Sequence, residues 1–134
     1  MTLEERIKKH EGLMLKPYRD TLGKLTIGIG RNLDDVGISE EEAYYLFNND
    51  LEKVKRQVNS SLGWILGLDE VRQGVLYEMA FQMGIGGLLG FKRTLVAIQE
   101  GRYEDAADNM LDSRWAIQTP HRAKVLSEIM RKGY

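Results

Sequence analysis

Two carboxylic acids near the N-terminus could act as a catalytic pair. Glu11 lies where a short helix is expected to end, and Asp20 opens a glycine-containing turn nine residues later. The last carbonyls of a helix carry partial negative charge, which disfavours a carboxylate and favours the protonated acid. An aspartate that opens a turn accepts hydrogen bonds from backbone amides, which favour its ionised form. A protonated acid facing an ionised one is the arrangement that hydrolyses glycosidic bonds.

Each of these residues also has an ordinary structural explanation. Glu11 can be a solvated residue near a helix end, and Asp20 can simply stabilise its turn. Thr26 is a third candidate, and as a β-branched residue it also suits a strand. Its alternation with Ile27 and Ile29 predicts a hydroxyl that faces away from this apolar pair. There it could hold a water molecule near Asp20.

The N-terminal pattern predicts one helix followed by a small sheet. Thr2 and Glu5 have the spacing of a capping box, and Gly12 favours a left-handed end to a helix over about 3–11. Hydrophobic alternation over 13–29, with turn residues at 20–24, predicts an antiparallel hairpin or three-stranded sheet. The two carboxylic acids would then lie on a helix end and a hairpin turn.

After Gly37 the pattern is helical to the end of the chain. Ser39 and Glu42 form a second capping box before a long helix over about 39–60. Glycines over 84–87 predict a break between later helices, which we expect over about 69–83, 91–100, 103–112 and 120–133. The fold class is therefore α+β, with a small N-terminal antiparallel β lobe joined by a long helix to a mainly helical C-terminal lobe.

Composition excludes several classes of protein. The 134 residues fit one domain, and the 43% hydrophobic share can form a core. No cysteine is present, which excludes disulfides, thiolate metal sites and a cysteine nucleophile, and two histidines cannot form a three-histidine zinc site. The net charge of −1 argues against nucleic-acid binding, and no dinucleotide or phosphate motif indicates a cofactor. We expect no metal and no cofactor.

Two kinds of targeting segment are absent from the sequence. No segment reaches the roughly 18 apolar residues of a membrane span, and the N-terminus lacks the apolar region of a signal peptide. The sequence predicts a protein that stays in the cytoplasm of the cell that makes it and would need a permeabilised membrane to reach a target outside.

Several blocks of sequence resemble one known family. The chain is similar to the phage lysozyme (endolysin) family of the T-even phage type over residues 11–123. The blocks occur in the family's order: Glu11-Gly12-Leu13, Leu15 to Thr21, Gly23, Thr26 to Gly30, Phe81 to Gly84, Gly90-Phe91, Ser113-Arg114-Trp115, Gln118-Thr119-Pro120 and Arg122-Ala123.

The resemblance implies an N-acetylmuramidase, a glycoside hydrolase that cleaves the β-1,4 bond between N-acetylmuramic acid and N-acetylglucosamine in bacterial peptidoglycan. Glu11 would be the general acid, Asp20 the second carboxylate and Thr26 a residue that positions the attacking water, with inversion at the anomeric carbon. One lysozyme domain over 1–134 is implied. Its parts would be a β lobe over about 13–38, a connecting helix over about 39–60, and a helical lobe over about 1–12 and 60–134.

The resemblance also implies further site residues and partners. The enzyme would be a monomer that acts on the polysaccharide and depends on a holin for access to the wall. Arg122 would support the site through an ion pair with Glu11, and Trp115 is expected to pack in the interior in preference to binding sugar. The implied substrate-binding residues are Asn32, Phe81, Gln82, Thr94 and Asn109.

The chain departs from the family pattern around residue 31. Arg31 stands where the family carries a histidine, and Asn32 stands where an apolar residue is usual. The short connection over 33–38 predicts a smaller β lobe with fewer sugar contacts. Trp64 has no counterpart in the family.

Two other functions remain open at this point. Seven acids and no Lys or Arg occur over 34–52, whereas 113–134 carries five bases and one acid. Such asymmetry would suit a non-catalytic helical module that binds a partner through its acidic segment. A glycosidase acting on chitin oligomers is the other alternative.

Overall fold

A computed structural model describes all residues from 1 to 134. They form two compact units, Met1–Leu46 and Phe47–Tyr134. The first helix is grouped with the sheet, whereas it was expected in the helical lobe. The expectation of a single lysozyme domain over 1–134 stays a prediction.

The first unit begins with helix α1 (Leu3–Glu11). The predicted capping box is confirmed, because Thr2 Oγ1 accepts from the Glu5 amide at 3.1 Å and Glu5 Oε2 accepts from the Thr2 amide at 3.0 Å. The helix ends where Gly12 adopts a φ of 80° and its amide donates to the Lys8 carbonyl. This end makes Glu11 the last helical residue.

A three-stranded antiparallel sheet follows, with strand order β1-β2-β3. The strands are β1 (Met14–Arg19), β2 (Leu25–Gly28) and β3 (Arg31–Asn32). The pairing of β1 with β2 is irregular between Met14 and Tyr18. Pro17 lies in this stretch and has no amide to donate, which is the usual reason for such an interruption. The predicted sheet is confirmed.

Helix α2 (Glu40–Ser61) begins with the second predicted capping box. Ser39 Oγ accepts from the Glu42 amide at 3.1 Å, and Glu42 Oε1 accepts from the Ser39 amide at 2.9 Å. Three glutamates in its first turn match the positive end of the helix dipole. Much of the acidic segment is therefore explained by the start of this helix.

The second unit contains a 3₁₀ turn and five further helices. The predicted glycine break is confirmed, because Gly84 is non-helical, with a φ of 81° and a ψ of 163°, and divides α3 into two helical segments that meet at a kink. Helix α6 was not predicted, because five residues show too little periodicity. The elements are the 3₁₀ turn (Gly63–Gly67), α3 (Glu70–Leu89), α4 (Lys92–Gln99), α5 (Tyr103–Leu111), α6 (Arg114–Gln118) and α7 (Pro120–Lys132).

The hydrophobic core lies in the second unit. Trp115 is only 8% exposed and belongs to this core, which confirms the packing interpretation, and Trp64 packs against it half-buried. The largest fully buried apolar side chains are Ile65, Leu76, Met79, Leu88, Ile98, Met110 and Met130. None of the helices combines the length and the apolar character that crossing a membrane requires. The small N-terminal sheet and the helices after it confirm the α+β class.

Candidate active site

Glu11 lies against the backbone of Gly30, in the tight turn between β2 and β3. A Cβ atom placed on Gly30 would stand 2.5 Å from Glu11 Oε2 and 3.0 Å from its Cδ. Gly30 has a φ of 74°, a conformation that side chains rarely adopt. Glycine therefore serves two purposes here: it permits the turn and it leaves room for the carboxyl group. Within the first unit, Glu11 forms no hydrogen bond or ion pair through its side chain.

Asp20 is held by the turn between β1 and β2. Its Oδ1 accepts from the Leu22 amide at 2.9 Å and from the Lys24 amide at 2.8 Å. The Asp20 amide in turn donates to the Lys24 carbonyl at 2.9 Å. These bonds confirm that Asp20 organises the turn, and Oδ2 has no hydrogen-bond partner within the protein. One carboxylate oxygen is thus anchored and the other is available.

Thr26 lies next to this turn on β2. Its Oγ1 donates to the Lys24 carbonyl at 2.9 Å. The backbone of Lys24 therefore links the two side chains, because its amide donates to Asp20 and its carbonyl accepts from Thr26. Thr26 is 4% exposed and is the one buried residue of the first unit. Its hydroxyl oxygen keeps lone pairs that can accept a hydrogen bond from water. Tyr18 and Asn32 are its partners on the neighbouring strands, so the three side chains share one face of the sheet.

Asn32 is engaged by the turn that follows β3. Its Nδ2 donates to Asp35 Oδ2 at 3.1 Å, and its Oδ1 accepts from the Asp35 amide at 2.9 Å. Both ends of the amide therefore stabilise the short connection. Its expected contact with sugar stays a prediction.

Arg31 connects the third strand to the start of α2. Its Nη1 donates to the Gly37 carbonyl at 3.1 Å and to Glu42 Oε1 at 2.8 Å. The hydrogen bond from Arg31, supported by the backbone and side chain of Ser39, lowers the pKa of Glu42 to about 2. The departure from the family at residue 31 thus provides an ion pair that closes the trimmed β lobe.

Phe81 and Arg122 line one groove in the second unit. This groove of about 670 Å³ is bounded by α2, α3 and α7, and Phe81 packs edge-on against Phe47 with ring centroids 5.6 Å apart. Arg122 Nε pairs with Glu78 Oε2 at 2.8 Å. Within the second unit, Glu78 on α3 therefore takes up the charge of Arg122. The expected ion pair between Arg122 and Glu11 stays a prediction.

Gln82 is oriented by the tryptophan of the core. Its Oε1 accepts from Trp115 Nε1 at 2.9 Å, and Trp115 packs edge-on against Phe91. A buried indole needs such an acceptor, so the pair has a structural role. The Gln82 amide nitrogen remains able to donate to a ligand.

Thr94 and Asn109 line a second groove of about 400 Å³, formed by α3, α4, α5 and α6. Glu11, Asp20, Thr26 and Asn32 therefore belong to the first unit. In the second unit, Phe81 and Arg122 line one groove, Thr94 and Asn109 line another, and Gln82 lines neither. No three His, Asp or Glu side chains are placed together as metal ligands would be.

Sequence reasoning missed two supporting residues. Gly30 was noted only as the end of the block Thr26 to Gly30, although a glycine is the residue that permits a turn or the close approach of another group. Glu78 carried no signal, because its pairing with Arg122 spans 44 residues of sequence.

Comparisons with known proteins show which family the chain belongs to. A family model described as phage lysozyme matches residues 8–132. Probable T4-type lysozyme 1 of Dictyostelium discoideum is 30% identical, and the match covers 98% of this chain and 95% of that protein. The pre-baseplate central spike protein Gp5 of Enterobacteria phage T4 is 34% identical over 99% of this chain, which spans 28% of that protein. A SAR-endolysin of Bacteriophage PS119 is 31% identical over 78% of this chain and 62% of its own length. The chain therefore belongs to the phage lysozyme family, and a lysozyme-type hydrolase function follows from that membership.

Proposed function

We propose that this protein is a peptidoglycan N-acetylmuramidase. It hydrolyses the β-1,4 bond between N-acetylmuramic acid and N-acetylglucosamine, with Glu11 as general acid. Asp20 and Thr26 hold the attacking water. The proposal rests on two carboxyl groups in different surroundings. The Glu11 carboxyl group lies against the backbone of Gly30, whereas the Asp20 carboxylate accepts hydrogen bonds from two backbone amides.

The reaction proceeds in one displacement. Glu11 donates its proton to the glycosidic oxygen while the bond from that oxygen to the anomeric carbon breaks. The water held by Asp20 attacks the anomeric carbon from the opposite face and gives its proton to Asp20 Oδ2. The product is the α-anomer, and exchange of protons with solvent restores both carboxyl groups. This route requires room for a water, so we expect the two carboxyl groups to be roughly 6.5–9.5 Å apart.

The anchoring of Asp20 suits its role as the base. Amide donors at Oδ1 stabilise the negative charge and fix the direction in which Oδ2 points. Thr26 donates its proton to the Lys24 carbonyl, so toward the water its oxygen acts as an acceptor. Both features orient one water without a metal ion.

The remaining predicted residues are proposed to bind the glycan. Phe81 offers an aromatic face 39% exposed, and Gln82 offers an amide donor oriented by Trp115. Asn32, Thr94 and Asn109 are proposed as further sugar contacts. The enzyme is proposed to act as a monomer on the bacterial cell wall, reached from the host cytoplasm after a holin permeabilises the membrane.

Lysis by matched variants tests the proposal. Loss of turbidity of purified cell walls is measured for the wild type, Glu11→Gln and Glu4→Gln. Glu4 is an exposed glutamate of the same helix and serves as the control. We expect Glu11→Gln to lower the rate at least about 100-fold and Glu4→Gln to leave it unchanged. Equal rates for the two variants would refute the role of Glu11.

Product analysis tests the bond and the stereochemistry. Reduction of the new ends with borohydride should yield muramitol, which identifies N-acetylmuramic acid at the cleavage site. Proton NMR of early products should show the α-anomer. Glucosaminitol ends, or faster cleavage of chitohexaose than of peptidoglycan, would contradict the muramidase assignment. A covalent sugar on Asp20 would contradict inversion.

A further inference from the structure

The peptide group between Lys24 and Leu25 joins two of the candidate catalytic residues. Its carbonyl oxygen accepts from Thr26 Oγ1 at 2.9 Å and from the Asp20 amide at 2.9 Å. The same peptide group carries the Leu25 amide, and a peptide group is a rigid plane because its C–N bond has partial double-bond character. The direction of the Leu25 N–H bond therefore fixes the direction of the carbonyl that holds both residues.

A side chain, and not a strand, accepts from the Leu25 amide. Strand β3 ends at Asn32, and the Leu33 amide extends its pairing by one hydrogen bond, to the Leu25 carbonyl at 2.7 Å. In a regular antiparallel pair two opposite residues exchange both of their hydrogen bonds, so the Leu25 amide would donate to the Leu33 carbonyl. It donates to Asp34 Oδ2 at 2.8 Å. The carboxylate of Asp34 thus takes the place of a strand carbonyl.

Asp34 is in turn held by Arg19. Arg19 Nη1 lies 3.5 Å from Asp34 Oδ2 and donates to the Gly23 carbonyl at 3.2 Å. Gly23 belongs to the turn that Asp20 organises, so the guanidinium group connects this turn with the carboxylate of Asp34. Both side chains of the ion pair are exposed, and exposed pairs add little stability. The importance of Asp34 therefore lies in the hydrogen bond that it accepts from Leu25.

We propose that Asp34 is a positioning residue for the hydrolysis. Its carboxylate fixes the plane of the Lys24–Leu25 peptide group, and this plane directs the Lys24 carbonyl toward the Thr26 hydroxyl and the Asp20 amide. A negatively charged acceptor on the N–H also polarises the peptide group, which makes the carbonyl a stronger acceptor. The inference rests on the proposed function, because it assigns Asp34 to the step in which Asp20 and Thr26 hold the attacking water.

Kinetics on soluble peptidoglycan fragments test this role. The proteins compared are the wild type, Asp34→Ala, Asp34→Asn and the control Asp50→Ala, which removes an exposed acid of α2. We expect Asp34→Ala to lower kcat about tenfold with KM unchanged, because a misplaced group slows the chemical step and not binding. Asp34→Asn keeps an oxygen that can accept from Leu25 and should retain most of the rate, as should the control. An unchanged kcat in Asp34→Ala, or equal losses in both Asp34 variants, would overturn the proposal.

A double-mutant cycle tests whether Asp34 acts through the Lys24 carbonyl. Thr26→Val removes the hydroxyl that donates to this carbonyl. We expect Asp34→Ala to lower kcat about tenfold in the wild-type background and less than about threefold in the Thr26→Val background, because the effects of two residues that act through one group do not add. Equal factors in the two backgrounds would show that Asp34→Ala only loosens the sheet, and the positioning role would be refuted.

NMR of the amide protons reports the hydrogen bond without any catalysis. In Asp34→Ala the Leu25 amide proton should move upfield, whereas the Leu22 amide proton should keep its shift, which shows that the turn remains folded. An unmoved Leu25 proton would overturn the proposal. Failure of the muramidase proposal is recognised separately, because Glu11→Gln would then lyse walls as fast as the wild type. If Glu11→Gln loses lysis and Asp34→Ala keeps its kcat, the positioning role alone is refuted.

Discussion

Replacement of Gly30 by alanine should displace the candidate general acid. The new Cβ would stand 2.5 Å from Glu11 Oε2, whereas unbonded carbon and oxygen atoms normally stay more than about 3.4 Å apart. The carboxyl group must therefore withdraw by about 1 Å, and it can do so because it is the end of a flexible side chain. Misplacement of a catalytic group by about 1 Å costs on the order of 100-fold in rate. We expect kcat to fall by about that factor.

Gly28→Ala is the matched control for this experiment. Gly28 has a φ of 71°, close to the 74° of Gly30, but a Cβ there would meet nothing within 4 Å. Both variants should lose about 1 kcal/mol of stability because alanine is strained at a positive φ, a fall of about 4 °C in Tm. Only Gly30→Ala should also show the fall in kcat.

Wall lysis and thermal unfolding are measured for both variants, with sedimentation to report binding to walls. The reasoning predicts equal losses of Tm, unchanged binding and a rate that falls in Gly30→Ala alone. Full activity in Gly30→Ala would refute the placement of Glu11 as the acid. Equal loss of rate in both variants would show that strain in the turn, and not contact with Glu11, is responsible.

Three further predictions concern interactions that the structure describes directly. Asp20→Asn keeps the Oδ1 acceptor and should unfold at nearly the wild-type temperature, whereas Asp20→Ala should lose about 1–2 kcal/mol of stability. Both variants should fail to lyse cell walls, and lysis by Asp20→Asn would contradict the proposed role of Asp20 as base. The Arg31 hydrogen bond holds the pKa of Glu42 at about 2, below its ordinary 4.5. The ion pair of Arg31 with Glu42 therefore stabilises the folded protein fully above about pH 4.5, and this stabilisation is lost as the pH falls toward 2. The difference in Tm between the wild type and Glu42→Gln should therefore narrow on acidification, and a constant difference would count against the pair. Arg72 donates to two carbonyls at the end of α7 at 2.7 and 3.1 Å, so Arg72→Lys should lose about 2 kcal/mol, measured by urea unfolding, with Arg56→Lys unchanged.

The sequence predicted what depends on local rules. The capping boxes that begin at Thr2 and Ser39 need only residues three apart, and Gly12 ends its helix through its own φ. Gly84 was recognised as an interruption, but whether a helix stops or kinks depends on packing beyond it. The α+β class follows from these local signals together.

The sequence could not predict pairings between distant residues. The charge of Arg122 indicated some partner, but the choice of Glu78 depends on how α3 and α7 pack. The position of Arg31 against Glu42 likewise follows from the short connection, which brings β3 to the start of α2. For the same reason the sequence did not show that Lys92 and Arg93 line one groove with Asn109 and Arg114.

The two units stabilise themselves in different ways, and this bears on the chemistry. The second unit has a core of fully buried side chains, whereas Thr26 alone is buried in the first. The candidate catalytic groups of the first unit are therefore positioned by hydrogen bonds at Lys24, by the open backbone of Gly30 and by the Arg31–Glu42 pair. Local hydrogen bonds contribute about 1 kcal/mol each, whereas a core residue contributes several. Substitutions around the site should thus lower the unfolding midpoint by only a few degrees, whereas a displaced catalytic group should lower the rate on the order of 100-fold.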